Sequence, residues 1–122
     1  MTWQAPLVTL ACGRQVRSDS AEWRDECGAR HLLAMDIPAR RAVLAKIGER
    51  QGGEAVAELR KRCYELEPAY VLDLPGIEAR RAYLTRLEQE FGTEPRQRLE
   101  QKIRALHAER RARTAPAEAA SA

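Results

Sequence analysis

Cys27 and His31 are the residues of this sequence whose types and spacing come nearest to a chemical site. They lie four residues apart in a predicted helix, so both side chains project from one face. A thiolate and an imidazole at this spacing supply two ligands to a zinc ion, and Cys12 and Cys63 are available as further ligands. One hypothesis is therefore a zinc-stabilised module, which fails if a chelator leaves the melting temperature unchanged.

The cysteines also fit a simpler interpretation, as small buried hydrophobic side chains. Cys63 corresponds to Ile103 in a second, similar segment of the chain, and the sequence contains no Cys-x-x-Cys pair. Structural zinc normally has closely paired ligands. We therefore predict no metal and no cofactor, with Cys12, Cys27, His31 and Cys63 as the weak candidates should one be bound.

A Cys27–His31 pair is also the beginning of a nucleophilic site. Acyl transfer, however, needs a third group that orients the base and donors that hold the oxyanion, and two residues on one helix turn provide neither. The sequence has no Gly-rich phosphate loop, no His-Glu-x-x-His and no Gly-x-Ser-x-Gly. We predict that the protein is not an enzyme.

Paired arginines are the next candidates for binding chemistry. They stand in the first turns of two corresponding predicted helices, where the helix dipole disfavours cations, so their presence in both places suggests a role. One interpretation is a surface that contacts anions or phosphates. The other is a solvated face with internal ion pairs, for example to Glu65 and Glu67. The four residues are Arg40, Arg41, Arg80 and Arg81.

The last predicted helix is the most strongly charged segment. Residues 94–113 hold seven basic against three acidic side chains, whereas residues 1–93 hold 14 of each and are neutral. Such a helix follows nucleic-acid phosphates or docks on an acidic protein, or else is a core helix with a basic outer face. No aromatic residue is interleaved, so stacking on single strands is not indicated. The basic residues are Arg96, Arg98, Lys102, Arg104, Arg110, Arg111 and Arg113.

The composition of the 122 residues favours helices as the elements that position these groups. Aromatic residues make up 5% of the chain, while Ala, Leu, Glu and Arg are abundant. No apolar run approaches the roughly 18 to 20 residues that cross a bilayer, and three cysteines are too few for a disulfide scaffold. These features predict an all-α protein of a reducing cytoplasm, without membrane attachment.

The chain contains an internal repeat with a period of 40 residues. Residues 39–66 align without gaps to residues 79–106, and nine of the 28 aligned positions are identical, including Gly52 and Gly92. Each copy is predicted to be a helical hairpin in which the glycine ends the first helix. Pro38 suits the first turn of the first hairpin. Pro68 is predicted to break its second helix, with one more short helical turn over 69–74.

A further helix is predicted ahead of the repeats. Residues 18–20 offer N-cap side chains, and the helix carries the apolar residues Trp23, Cys27, Leu32 and Met35. The first 17 residues are predicted to form an extended arm or a small β-hairpin. The predicted organisation is thus a single helical domain over 1–113 and a flexible tail over 114–122. Within the domain the segments are the arm (1–17), the first helix (18–36), repeat 1 (37–67) and repeat 2 (68–113).

Residues 13–30 (GRQVRSDSAEWRDECGAR) and 37–44 (IPARRAVL) resemble a group of small uncharacterised proteins carried by proteobacterial prophages and other mobile elements. Their pattern runs Gly-Arg-x-Val, Ser-x-Glu-Trp-Arg-x-Glu-Cys-Glu-Ala-Arg, then Leu-Pro and Arg-Arg-x-Tyr-Leu. Gly28 departs from the usual Glu and Val43 from the usual Tyr, which Tyr83 supplies in the second copy. The resemblance covers about residues 13–66 and implies no catalytic residues. It implies a phage or mobile-element protein in a bacterial cytoplasm.

These observations lead to two functional hypotheses. The first is a non-enzymatic phage or mobile-element protein that binds a bacterial host protein or nucleoprotein complex and inhibits a host enzyme or defence complex. The second is a small nucleic-acid-binding protein that uses the basic C-terminal helix and the arginine pairs. A homodimer is compatible with either hypothesis.

Overall fold

The computed structural model describes the backbone of residues 3–121 and the side chains of residues 3–114. The chain forms two compact units, Met1–Leu66 and Glu67–Ala122, with the boundary inside one helix. That boundary falls within one residue of the predicted junction between the two repeats. A single cooperative domain over 1–113 stays a prediction.

The first unit opens with a two-stranded antiparallel sheet of β1 (Leu7–Thr9) and β2 (Gln15–Arg17). Leu7 lies opposite Arg17 and Thr9 opposite Gln15, and the turn between the strands contains Gly13 with φ 93°. The β-hairpin interpretation of the arm is therefore correct. Val8 and Val16 lie on the half-buried face of the sheet, as the two-residue alternation of strands requires.

Two helices follow, α1 (Ala21–Ala34) and α2 (Ile37–Gln51), and both begin at a side-chain cap. The hydroxyl of Ser20 accepts the N–H of Trp23, and the carboxylate of Asp36 accepts the N–H of Ala39 at 2.9 Å. Pro38 lies in the first turn of α2, as predicted. Each cap satisfies a backbone donor that has no partner within the helix.

The apolar residues noted on α1 differ in burial. Leu32 is 2% exposed, but Cys27 is exposed and Trp23 and Met35 are only half-buried. The side of α1 that faces the interior is instead formed by Glu26, Ala29, Leu32 and Leu33. A carboxylate thus takes a core position, because hydrogen bonds described below satisfy it.

The prediction that Pro68 ends the third helix is wrong, since α3 runs through it from Gly53 to Leu72. A proline inside a helix loses one backbone hydrogen bond and crowds the carbonyl four residues earlier, at a cost of about 3 kcal/mol. The turn beyond Pro68 offsets this cost. It carries Val71, which is fully buried, and Tyr70, whose ring lies 5.9 Å from that of Tyr83.

The second unit contains the end of α3 together with α4 (Gly76–Phe91) and α5 (Thr93–Ser121). Its buried apolar residues are Val71, Leu87 and Leu99. The backbone of α5 is helical into the segment 114–122 for which a flexible tail is predicted. Because the side chains from 115 onward and residue 122 lie outside the described residues, that flexibility stays a prediction.

The glycines that the repeat predicts as helix ends occupy matching positions and conformations. Gly52 follows α2 with φ 92° and ψ 171°, and Gly92 follows α4 with φ 93° and ψ −177°. Both donate their N–H to the residue four positions earlier, Gly48 and Glu88 respectively. This backbone region is essentially restricted to glycine. The shared glycine therefore ends the first helix of the hairpin in both copies.

Replacing Gly92 with alanine is expected to lower the free energy of unfolding by about 1–3 kcal/mol, because a side chain at this φ and ψ is strained. Gly53→Ala is the matched control, since Gly53 begins α3 and an added Cβ there meets no atom within 4 Å. Alanine at a helical position is expected to be neutral or to stabilise by up to about 1 kcal/mol. Urea unfolding followed by circular dichroism separates the two variants, and equal effects would contradict the assignment.

The described part of the chain is therefore an all-α structure of five helices behind a short β-hairpin, which confirms the predicted fold class. None of its helices combines the length and the apolar character needed to span a membrane.

Candidate partner-binding surface on the last helix

Packing against α4 determines which side of α5 meets solvent. Leu99 is buried and Ile103 and Leu106 are half-buried, at the spacing of three and four residues that places them on one face of a helix. Leu87 of α4 is buried as well. Most of the basic side chains of α5 lie outside this apolar stripe.

Four of the seven basic residues in 94–113 form ion pairs. Arg96 bridges two helices, with its Nη1 2.6 Å from Glu88 of α4 and its Nε 2.9 Å from Glu100. Hydrogen bonds to Glu88 and then to Glu100 raise the pKa of Arg96 above its ordinary value. Arg104 pairs with Glu100 at 3.6 Å, and Arg113 pairs with Glu109 at 2.8 Å. These cations are partly neutralised.

Among these ion pairs, the one formed by Arg110 has the largest separation in the sequence. Its two terminal nitrogens lie 2.6 and 3.3 Å from the two carboxylate oxygens of Asp73, just beyond α3, in the bidentate geometry that arginine favours. The hydrogen bond from Arg110 lowers the pKa of Asp73 below its ordinary value of 3.8. The same hydrogen bond raises the pKa of Arg110.

Asp73→Asn tests this pair through its pH dependence. Because the pKa of Asp73 is lowered in the folded chain, the stabilisation is present above the ordinary pKa of 3.8 and is lost as the pH falls through the folded value. The Asp73 side chain is 60% exposed, so the loss at neutral pH should stay below about 1 kcal/mol. The wild type and the variant should converge once the pH lies below the lowered pKa of Asp73 in the folded chain. A difference that persists there in thermal unfolding would contradict the assignment, and Asp25→Asn is the exposed control.

Three basic residues of α5 have neither an ion pair nor a side-chain hydrogen bond within the described residues. They are Arg98, Lys102 and Arg111, here called the free cations, and all three are exposed. Arg98 and Lys102 are one turn apart, about 6 Å along the axis, and share one side of the helix. Arg111 lies about 14 Å farther on and on roughly the opposite side of the axis, so the free cations flank the apolar stripe. No contact has to be broken before an anionic partner binds them.

The arginine pairs have different roles within each unit. In the first unit, the Nε of Arg40 donates to the carbonyl of Leu32 at 3.1 Å and a terminal nitrogen donates to that of Leu33 at 3.4 Å. Arg40 thus caps the carboxyl end of α1, where a cation also complements the helix dipole. Arg41, the second member of this pair, is exposed.

In the second unit, Arg80 occupies the position equivalent to Arg40 but lacks its contact. Its Nε is buried and has no hydrogen-bond partner within the described residues. Arg81 beside it is exposed. The two copies therefore share an arginine at this position but not its hydrogen bonds to backbone carbonyls. Arg40 and Arg80 are both less available to a partner than the free cations are.

The metal candidates do not come together in the part of the chain that the structure describes, where no group of three His, Cys, Asp or Glu side chains is arranged to hold an ion. Cys12 lies exposed in the turn of the β-hairpin and Cys27 lies exposed on α1, as does His31. Cys63 is buried, with its sulfur 3.8 Å from the carbonyl of Ala29. Cys63 thus behaves as a core side chain.

Glu26 is a residue whose importance the sequence pattern does not predict. It is 3% exposed, and its carboxylate accepts the N–H of Ala11 at 2.9 Å and pairs with Arg30 at 3.1 Å. The guanidinium of Arg30 also lies 5.9 Å from the ring of Trp23, a cation–π distance. Glu26 therefore ties the β-hairpin to α1. The resemblance motif, which contains Glu-Trp-Arg-x-Glu, provides the signal that points to this residue.

The second unit has a buried carboxylate of its own. Glu67 is 9% exposed and accepts a short hydrogen bond from the hydroxyl of Tyr83. The ring of Tyr83 is tilted by 58° against that of Tyr70. This arrangement links the end of α3 to α4, and among the described residues it belongs to no group that could hold a metal ion.

Comparison with known proteins identifies one matching family model, described as a family of unknown function (DUF7696). The model matches twice, over residues 16–69 and over residues 60–110, in agreement with the internal repeat. No curated protein and no solved structure matches the chain.

Proposed function

The chain belongs to the DUF7696 family, and from that premise we propose that it is a non-enzymatic interaction protein that binds a macromolecular partner through α5. The observation that carries the proposal is the set of free cations, Arg98, Lys102 and Arg111, exposed beside four basic residues that carboxylates already neutralise. An exposed charge that forms no ion pair within the folded chain gives up no existing ion pair when it binds a partner.

The partner is proposed to be a protein with an acidic surface. Ion pairs with Glu88, Glu100 and Asp73 already neutralise part of the positive charge of α5 that would otherwise bind nucleic-acid phosphates. The same unit also exposes two large apolar side chains, Ile77 at 55% and Phe91 at 48%. Apolar and aromatic side chains beside arginine are typical of protein interfaces.

The resemblance to prophage and mobile-element proteins supplies the proposed context. The protein would act in the cytoplasm of a bacterial host and bind a host protein or nucleoprotein complex. The proposed consequence is inhibition of a host enzyme or of a defence complex. A protein that covers an acidic surface of its partner inhibits it without being an enzyme itself.

Capture from a proteobacterial lysate, with and without nuclease, tests the proposal. We expect the immobilised full-length chain to retain a specific protein in both conditions, eluting as the salt concentration rises. Recovery of no protein above background would overturn the proposal. Capture that depends on nucleic acid would favour the direct nucleic-acid hypothesis.

Labelled duplex DNA and RNA provide the second arm of that experiment. If only the free cations contact phosphates, the slope of log K against log salt is limited to about −2.7. A much steeper slope would show that the paired arginines also bind phosphates, and it would replace the protein-binding proposal.

A further inference from the structure

The outer edge of β1 is open in the first unit. The hydrogen bonds from Ser18 N–H to the Pro6 carbonyl and from Leu10 N–H to the Arg14 carbonyl, both 2.9 Å, belong to the same ladder as the β1–β2 pairs. Backbone groups alternate in direction along an antiparallel strand. The N–H and C=O groups of Leu7 and Thr9 therefore point away from β2, and they have no hydrogen-bond partner among the described residues.

The other edge of the sheet is partly covered. α1 packs against β2, and the carbonyl of Arg17, which also points outward, accepts the N–H of Ser20 at 3.0 Å. Pro6 does not protect the open edge, because its own backbone groups face β2. β1, which no helix covers among the described residues, is therefore the more open edge of this sheet.

β1 itself carries none of the charges with which proteins usually prevent edge-to-edge association, and Arg17, across from Leu7 on β2, is paired with Asp19. Residues 2–13 form a stretch without a single charged side chain. Two large apolar side chains in it are exposed, Trp3 at 74% and Leu7 at 65%. An uncharged edge is compatible with its own copy, since no like charges oppose each other across the contact.

We propose that β1 pairs with β1 of a second copy of this chain, antiparallel about a twofold axis beside Val8. In that register Leu7 lies opposite the partner's Thr9, and the four outward groups of each strand find complementary groups on the other strand. The two hairpins form one four-stranded sheet, and Trp3 and Leu7 of each copy cover its exposed face. The contact is isologous, as twofold dimers require.

The expected dimer is weak, because strands of three residues bury much less than the roughly 1,200 Å² of stable interfaces. Its dissociation constant should lie in the micromolar range or above. This inference concerns the first unit and is independent of the function proposed for α5. Replacing the free cations should leave self-association unchanged.

Sedimentation velocity from about 5 µM to about 1 mM tests the proposal. The average mass of the full-length chain should rise from 13.8 kDa towards twice that value. Thr9→Pro should abolish the rise, since it removes an outward donor and keeps the β1–β2 ladder. Thr9→Lys should abolish it too, by placing like charges across the axis, and within its own hairpin Thr9 faces the uncharged Gln15.

The matched control is Gln15→Lys, which adds the same charge to the exposed face of β2, away from the open edge. It should dimerise like the wild type, and circular dichroism should show that all variants fold. A wild-type mass that stays at 13.8 kDa at the highest concentration, or a Thr9→Pro variant that dimerises like the wild type, would overturn the proposal.

Discussion

Leu32→Ala is expected to lower the free energy of unfolding by about 3 kcal/mol, within the range of 2–5 kcal/mol for buried leucines. Leu32 is 2% exposed on the interior side of α1, next to Ala29 and Leu33, which are equally buried. Removing its side chain loses apolar burial and leaves a cavity that a short helix closes only in part. A loss of this size is a large share of the stability of a small protein.

Urea unfolding followed by the fluorescence of Trp23, which lies on the same helix, measures this effect. Tyr64→Ala is the control, because Tyr64 is 64% exposed on α3 and its removal should change stability by no more than about 0.5 kcal/mol. Equal losses in the two variants would show that Leu32 is not a core residue.

Glu26→Ala is expected to destabilise the chain by about 2–3 kcal/mol, although a glutamate on a helix is normally a surface residue. The change removes the acceptor of the Ala11 N–H and the partner of Arg30. Arg30 is half exposed, and water will solvate it, which keeps the loss below that of a fully buried pair.

Glu26→Gln separates the hydrogen bond from the charge. Its amide oxygen still accepts the Ala11 N–H, so about half of the lost stability should return. Glu22→Gln is the control, since Glu22 is only half-buried and its contact with Arg14 is 3.9 Å long. If Glu26→Ala unfolds at the same urea concentration as the wild type, Glu26 does not hold the β-hairpin on α1.

Local sequence signals predicted those parts of the fold that depend on backbone conformation. Gly52 and Gly92 were predictable as helix ends because few other residues adopt their conformation. Pro38 marked the start of α2, because its fixed φ suits the first turn of a helix. The repeat extended the glycine assignment to the second copy, whereas Pro38 has no equivalent there, since position 78 is a glutamate.

Predictions failed where tertiary packing overrides a local preference. Pro68 is a helix breaker by its chemistry, yet burial of Val71 keeps α3 intact beyond it. The interior position on α1 went to Glu26 instead of Cys27, because a hydrogen bond from a residue 15 positions away satisfies the carboxylate. The spacing of apolar residues along a helix does not indicate a hydrogen-bond partner so distant in the sequence.

The candidate site was predictable as a set of basic residues but not as a functional surface. Arg110 and Lys102 look alike in the sequence, and only the structure shows that Asp73, 37 residues away from Arg110, engages it and leaves Lys102 exposed. Contacts with residues outside α5 pair Arg96 and Arg110, whereas Arg104 and Arg113 pair with glutamates four residues away on α5 itself. Together these pairs leave three of the seven basic residues as free cations.

The most direct test of this account is partner capture by two variants of equal charge. Arg98→Gln/Lys102→Gln/Arg111→Gln removes the free cations, and Arg24→Gln/Lys46→Gln/Arg50→Gln removes three exposed cations from the first unit, so both carry the same net charge. We predict that the first variant loses the partner by at least about tenfold, which is about 1.4 kcal/mol, while the second retains it. Equal retention by both variants, or an equal loss in both, would contradict the assignment of α5 as the binding surface.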